Sequence, residues 1–352
     1  MGCSSFAVGD KHSLFLKTVK REDDFLKKNQ NNSAVVLLPV KRQEDRRRFE
    51  SAAPGFTFYY NDDAPIEACQ LEKAAVIFGN PSREQLSCCK SLKWVQLGSA
   101  GADAYVKDGF LPVGTILTNA SGAYGPAIAE YMVAVSFSLF NNLPLYRDNQ
   151  LSAVWKERGT ARSVAGSTVL SVGMGDIGSE YVKRMKALGC TVYGIRRTKT
   201  AKPDYIDGLY QMNALDDLLK EADIVALSLP QSTETIGLFS AERFSHMKKG
   251  AVLINVGRGS AVNTEALCDA LESGRLGGAA LDVTDPEPLP PNHRLWRQSN
   301  ALITPHVSAG YTLLETYDRI IKICLENLFR FSKGEELYNQ VDFKTGYRVS
   351  QK

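Results

Sequence analysis

Three apolar runs in the second half of the chain end abruptly in residues that could do chemistry. LINVGRGSAV carries Arg258, AALDVTDPEPLP carries Asp282, Asp285 and Glu287, and ALITPHVSAG carries His306. Such runs read as strands of a parallel sheet, which presents its working side chains just beyond the strands' carboxyl ends. A guanidinium can grip a carboxylate through two parallel hydrogen bonds and polarise an adjoining carbonyl oxygen. An imidazole titrates near neutrality and so can give or take a proton there. A carboxylate hydrogen-bonded to that ring favours its protonated form. Of the four histidines, at 12, 246, 293 and 306, only His306 ends a strand expected to be buried. Asp285 and Glu287 lie two residues apart in one proline-rich turn, and either could reach it.

A fourth run, VLSVGMGDIGSEYVKRMKALG, sets Gly173, Gly175 and Gly178 in G-x-G-x-x-G spacing. It follows an expected strand and opens an amphipathic helix with Ile177, Val182, Met185 and Leu188 on one stripe. In that context the first glycine permits a tight turn, the second lets backbone approach a pyrophosphate, and the third lets helix and strand pack closely. The helix start at Asp176 then aims free N–H groups and the positive end of its dipole at phosphate. A dinucleotide is the expected ligand. At the end of the next strand, 18 residues after Gly178, an acid would normally meet the ribose hydroxyls, and this chain reads GIRRTK instead. Arg196 or Arg197 could hold a 2′-phosphate, which argues for NADP over NAD, with NAD still possible.

The elements that must position these residues alternate. From residue 34, AVVLLPV, FTFYY, AVIFG, WVQLG and TILTN read as strands, with KRQEDRRRFESA and SREQLSCC as helices between some of them. A long apolar helix, PAIAEYMVAVSFSLF, follows, with Pro126 in its first turn. Beyond it STVLSV, TVYGI, DIVALSLP, AVLINV, GGAALDV and ALITPHV alternate with helices starting near Asp176, Asn213, Ser240 and Thr264. Asn213 and Ser240 are expected N-caps, and Gly189, Gly250 and Gly274 follow helix ends. A last helix places Leu314, Tyr317, Ile321, Cys324 and Leu328 on one stripe and is expected to return to the first domain. The fold class is therefore α/β, with two doubly wound parallel-sheet domains: a Rossmann coenzyme domain and a flavodoxin-like, discontinuous substrate domain. Expected boundaries are 1–33 for a polar extension, 34–123 with 308–352 for the substrate domain, and 124–307 for the coenzyme domain.

Bulk properties narrow the classes. A chain of 352 residues suits about two domains. Its net charge, 42 − 39 = +3, with basic residues dispersed, gives no footprint for a nucleic-acid partner. Seven cysteines form no CxxC pair and no Cys-His ligand spacing, so no metal is expected and reduced thiols in a cytoplasmic protein are. YMVAVSFSLF is about half the ~20 residues a membrane span needs, and no secretory signal is visible. MGCSSF has Phe6 where an acylation pattern wants Ser or Thr, so the extension is expected to be unmodified.

The ordered signatures VGMGDIG, SLPQSTET, NVGRGSAVNTEAL, ESGRLGGAALDVTDPEPLP and HRLWRQSNALITPHVSAG, over about residues 34–345, closely resemble the D-2-hydroxyacid dehydrogenase family. The tail NQVDFKTGY is most similar to its glyoxylate/hydroxypyruvate reductase branch. The resemblance implies Arg258 as ligand of substrate carboxylate and carbonyl, His306 as acid/base, and Glu287, the acid before proline, as its partner. It places Asp282 at the nicotinamide amide. Thr198, Leu229, Pro230, Thr235, Val256 and Gly257 join the cofactor contacts. Ser99, Ala100 and Gly101, in GSAGAD, become a backbone cradle for the substrate carboxylate. Two departures stand out: Gly257 replaces a more frequent alanine, and FGNPSREQL lacks an arginine that some members use on substrate, leaving Asn80 as a candidate contact. The implied function is an NADPH-preferring reductase of small 2-oxoacids, forming D-2-hydroxyacids, with a homodimer built on the helix from Pro126. Formate dehydrogenases share the fold, but they carry glutamine where this chain has Glu287. A nucleotide-sensing corepressor with little turnover is the alternative of a different class.

Overall fold

The computed structural model describes residues 32–311, 313–344, 346, 348 and 349. All but the last two residues of the 1–33 extension lie outside them. Compact units meet at Ser121/Gly122 and at Tyr317/Asp318, the second boundary falling ten residues beyond the expected 308.

In the first unit, five parallel strands stand in the order β2-β1-β3-β4-β5. They are β1 (Asn32–Val36), β2 (Phe56–Tyr60), β3 (Ala74–Phe78), β4 (Trp94–Gln96) and β5 (Ile116–Thr118). This is the doubly wound order of flavodoxin-like sheets. β3 and β4 are buried throughout, which is why they read as unbroken apolar runs rather than as an alternation. The strand expected over 34–40 ends at Val36, because Leu37 and Leu38 both turn their N–H groups to the Phe78 carbonyl. A short helix, Ala68–Lys73, was not foreseen; it closes through a reciprocal cap between Glu67 and Gln70.

The chain's return to this unit is fixed by a buried polar cluster. Asn327 Nδ2 donates to Gln96 Oε1 (2.8 Å), which also accepts from Thr118 Oγ1 (2.7 Å), and Trp94 Nε1 donates to Thr118 Oγ1 (2.8 Å). Asn327 in turn takes the Tyr338 N–H at 2.7 Å. A buried polar group without a partner costs about 1–3 kcal/mol, so this mutual satisfaction fixes one position for the Leu314–Lys333 helix. Tyr317, Ile321, Cys324 and Leu328 are buried as the stripe requires. Leu314 is not: it is the helix's first residue, before the buried face begins, and lies 61% exposed.

The second unit holds seven parallel strands in the order β12-β11-β10-β9-β6-β7-β8. They are β6 (Thr168–Val172), β7 (Thr191–Ile195), β8 (Gly208–Tyr210), β9 (Ile224–Leu227), β10 (Ala251–Asn255), β11 (Leu276–Leu281) and β12 (Ala301–Ile303). The order reverses between β6 and β9, the switch point where such sheets open a crevice at their carboxyl ends. Both faces are covered. Leu170, Val172 and Leu253 join one apolar layer, while Val169, Val252 and Ile254 join the other, as the two-residue period of strands dictates. Truncating Leu170, Leu253 or Ile254 to Ala would cost about 2–5 kcal/mol.

Several local expectations need correction. Asn213 does not cap a helix: it lies inside a 3₁₀ turn, Met212–Ala214, and the Leu215–Leu219 helix begins after Ala214 without a side-chain cap. Ser240 does cap its helix, accepting from the Arg243 N–H. Leu188 leaves the apolar stripe, ending the Asp176–Ala187 helix partly exposed where the chain turns at Gly189. β12 is the edge strand of the sheet and only half-buried, so His306 does not end a buried strand. The β8 strand and the Leu143–Leu151 helix were not foreseen.

Candidate active site

The glycine-rich turn joins β6 to the Asp176–Ala187 helix beside the switch point. Gly173 has φ +109°, and a Cβ there would lie 2.8 Å from the Ser228 carbonyl oxygen. A Cβ on Gly178 would fall 1.9 Å from the Gly173 oxygen, so helix and turn touch without room for a side chain. That same oxygen accepts from Ser228 Oγ at 2.9 Å and Ser171 Oγ at 3.2 Å, two braces that no motif announces. At Gly175 the Cβ direction meets nothing within 4 Å. Open space there, at a twelve-residue helix's N-terminus, fits a pyrophosphate approaching the backbone. The Asp176 carboxylate turns away to accept the Gly125 N–H at 2.9 Å, leaving its main chain as the part that can meet phosphate. Ile177 is half-buried in the apolar layer beneath.

Arg196, Arg197 and Thr198 follow the end of β7, and all three are exposed. The Arg196 N–H is fixed on the Tyr210 carbonyl of β8 (2.9 Å), and its Nη1 reaches Thr200 Oγ1 at 3.4 Å. A short, unforeseen strand thus sets where the guanidinium starts. Leu229 and Pro230 follow β9 half-buried, whereas Thr235 is buried and its hydroxyl donates to the Pro230 carbonyl (2.8 Å), holding that turn from behind.

Beyond β10, Val256 and Gly257 are buried, and a Cβ on Gly257 would come within 2.6 Å of both the Leu229 N and O. The alanine common at this position has no room against this backbone. Asn255, buried at the end of β10, accepts the Gly257 N–H (3.1 Å) and donates to the Arg258 carbonyl (3.0 Å). Arg258 Nη1 donates to the Gly257 carbonyl at 2.7 Å. A Cβ on Gly259 would strike the Thr284 carbonyl at 1.9 Å, so the Arg258 turn packs directly on the turn that carries Glu287.

Glu287 Oε1 lies 2.8 Å from His306 Nδ1, both groups being about half exposed. Asp285 instead lends its carbonyl to Thr264 Oγ1. His306 has φ +56° and sends its N–H to the Asp282 carbonyl at 2.8 Å. The Asp282 carboxylate is 2% exposed and accepts from Thr304 Oγ1 (2.7 Å), Val307 N (2.8 Å) and Ser308 N (3.1 Å). It is engaged with the histidine's own turn, a use sequence reasoning did not foresee. β10, β11 and β12 are neighbours about 4.8 Å apart, so Arg258, Asp282 and His306 leave the same edge of the sheet.

In the first unit, Ser99, Ala100 and Gly101 form a loop whose three N–H groups meet no acceptor among the described residues. Asn80 braces it: Oδ1 accepts the Gly98 N–H (3.1 Å) and Nδ2 donates to Ser99 Oγ (2.8 Å), which donates to the Gly101 carbonyl (2.7 Å). Both ends of the Asn80 amide are therefore occupied within the loop.

A glycine turn open at Gly175, a carboxylate–histidine pair and an arginine on one sheet edge are what a nicotinamide-dependent dehydrogenase needs. Residues 133–308 match the family model for the NAD-binding domain of D-isomer specific 2-hydroxyacid dehydrogenases. The chain belongs to that family. A glyoxylate reductase of Thermofilum pendens is 32% identical over 262 residues, covering 72% of this chain and 75% of that protein. A crystal structure of a family member from Aeromonas salmonicida subsp. salmonicida aligns with a TM-score of 0.78 at 34% identity, over 89% of this chain and 99% of its own. The NADPH-dependent glyoxylate/hydroxypyruvate reductase of Sinorhizobium meliloti, solved with NADP and sulfate, gives 0.77 at 26% identity, over 90% and 100%.

Proposed function

We propose that this dehydrogenase is an NADPH-preferring reductase of small 2-oxoacids, glyoxylate and hydroxypyruvate first, forming D-2-hydroxyacids. The observation that carries the reading is the 2.8 Å contact between Glu287 and His306 on the sheet edge shared with Arg258. Reduced nicotinamide, when bound, would supply a hydride to the carbonyl carbon. His306 Nε2 would give the carbonyl oxygen its proton as the carbonyl π pair moves onto that oxygen. Glu287 stabilises the imidazolium before transfer and fixes the ring after it. Arg258 holds the substrate carboxylate and polarises the ketone, so negative charge grows next to a fixed cation. The free N–H groups of Ser99, Ala100 and Gly101 suit the carboxylate as well.

The turn at Gly173, Gly175 and Gly178, with the main chain at Asp176, would hold the pyrophosphate, and Arg196, Arg197 and Thr198 the 2′-phosphate. Leu229, Pro230, Val256 and Gly257 would line the nicotinamide ribose, with Thr235 holding their turn and Asp282 beside the carboxamide. The NADP found with the Sinorhizobium enzyme and the paired arginines both favour NADPH.

We assign the working form to a homodimer. Phe137, Leu143, Tyr146, Leu151 and Trp155 are exposed along one stretch of chain starting in the Gly125–Phe140 helix, and Trp155 is fully so. Large apolar side chains gathered in this way mark an interface. The six described cysteines are unpaired, which suits a reducing, cytoplasmic setting, and no described helix is long and apolar enough to cross a membrane.

Chiral analysis of glycerate formed from hydroxypyruvate and NADPH tests the reading. D-glycerate is expected, and L-glycerate or no product contradicts it.

A further inference from the structure

His306 stands in a left-handed backbone conformation, unfavourable for any residue with a Cβ, and persists there only if its surroundings over-determine it. The determinants are visible. Its own N–H goes to the Asp282 carbonyl, and the next two N–H groups, of Val307 and Ser308, go to the Asp282 carboxylate. A carboxylate is an acceptor only, so the remaining contact, Thr304 Oγ1 at 2.7 Å, must be a donation from threonine. That commits the single hydroxyl proton of Thr304. The hydroxyl of Tyr131, 2.8 Å from Thr304 Oγ1, is therefore the donor in the second contact. Burial pushes the Tyr131 phenol up from its ordinary value, which keeps it protonated and donating.

We propose that Tyr131 and Thr304 are positioning residues for His306, acting in series through the buried Asp282 carboxylate. The inference rests on the reductase reading for its kinetic consequences, though not for its geometry. Tyr131 is a firm anchor because its helix, Gly125–Phe140, is itself held to the Asp176–Ala187 helix by a buried contact of Ser136 Oγ with Tyr181 Oη at 2.9 Å. A series connection has a distinctive signature. Once Thr304 has lost its hydroxyl, Tyr131 has no path to Asp282, and removing the phenol as well does nothing more to His306. The turn loosens at the first loss, and the imidazole samples orientations from which proton transfer fails. Substrate grip through Arg258 and pyrophosphate binding at the glycine turn use other groups and are spared, whereas the carboxamide contact assigned to Asp282 shares its carboxylate with the relay.

The experiment is a double-mutant cycle on the full chain with NADPH and hydroxypyruvate, paired with long-range proton–nitrogen NMR of histidine-labelled protein. Thr304→Val is expected to lower kcat about tenfold and Tyr131→Phe about threefold, with KM nearly unchanged and NADPH Kd shifted less than kcat. The double variant should match Thr304→Val alone, and Thr304→Ser should restore kcat. In the wild-type spectrum the neutral His306 ring should carry its proton on Nδ1, facing Glu287. In Thr304→Val a mixture of tautomers should appear. Unchanged kcat in Thr304→Val, multiplicative losses in the double variant, or an unchanged tautomer would overturn the proposal. If Thr304→Val does not fold, Tyr131→Phe and Thr304→Ser carry the comparison: lowered kcat in the first and wild-type kcat in the second support it, and the reverse overturns it. Wild-type protein that turns over no 2-oxoacid defeats the reductase reading, and the tautomer spectra then decide the relay by themselves.

Discussion

Glu287 Oε1 lies 2.8 Å from His306 Nδ1, and because a carboxylate only accepts, a neutral His306 carries its proton on Nδ1. Nε2 is thereby left as the nitrogen that exchanges a proton with substrate. Glu287→Gln keeps a hydrogen-bond acceptor but removes the charge opposite the imidazolium. A fall in kcat of about 10–100-fold is expected, with NADPH affinity preserved, and His306→Ala should lose about 10²–10⁴-fold. Steady-state kinetics with fluorescence titration of NADPH measures both.

Cofactor choice should reside in the exposed arginines after β7. Each charge-assisted contact to a 2′-phosphate is worth about 1.5–3 kcal/mol. Replacing Arg196 or Arg197 by Ala should therefore cost about 10–100-fold in kcat/KM for NADPH and little for NADH. The larger loss identifies the residue on the phosphate, and equal losses for both cofactors would contradict the assignment.

Asn80 uses both ends of its amide to hold the Gly98–Ser99 backbone and hydroxyl. Asn80→Ala should raise substrate KM several-fold, about the loss of one or two neutral hydrogen bonds, while NADPH Kd stays constant. An effect on NADPH binding instead would show that the side chain acts elsewhere.

The sheet edge was legible because its strands announce themselves. Buried parallel strands are unbroken apolar runs, and Arg258 follows such a run, β10, while His306 follows β12, which is apolar in sequence although it is a half-buried edge strand. What the sequence hid are partners brought together by folding. Tyr131 and Thr304 are 173 residues apart, and the Ser228 brace on Gly173 is 55 residues away. No local pattern marks such pairs. β8 escaped because three residues beginning with glycine carry no alternation to read, and the Leu143–Leu151 helix because Pro144 and a polar run disguise it. Asn213 misled because its residue type favours caps, while the chain there tightens into a 3₁₀ turn.

Packing of the turn after β10 against the turn after β9 depends on Gly257. An added methyl would sit 2.5 Å from the Leu229 carbonyl oxygen and 2.6 Å from its nitrogen, and that backbone cannot yield cheaply. Gly257→Ala should destabilise the protein by about 1–3 kcal/mol and weaken NADPH binding, read by thermal unfolding with and without cofactor. An alanine variant as stable as wild type would contradict the close approach.

Several carboxylates of the second unit are held below their ordinary range, and Asp207 is one of them. The Lys186 ammonium, and then the Val192 N–H, hold the Asp207 carboxyl below its ordinary range. A carboxylate depressed in the folded state contributes stability above its unfolded pKa, about 3.9, and loses it as pH falls through the folded value. Asp207→Asn should lower Tm at neutral pH, and the gap from wild type should close below about pH 4. A gap that persists in acid would assign the effect to packing.

Absorbance at the reduced-nicotinamide band, with glyoxylate and with hydroxypyruvate, NADPH and NADH in parallel, for wild type and Arg258→Ala, tests the reductase assignment most directly. Rapid oxidation of NADPH, slower oxidation of NADH, and loss of both in the variant is the predicted result. Binding of either cofactor without its oxidation by any small 2-oxoacid would contradict the account and make the chain a nucleotide-binding protein without this chemistry.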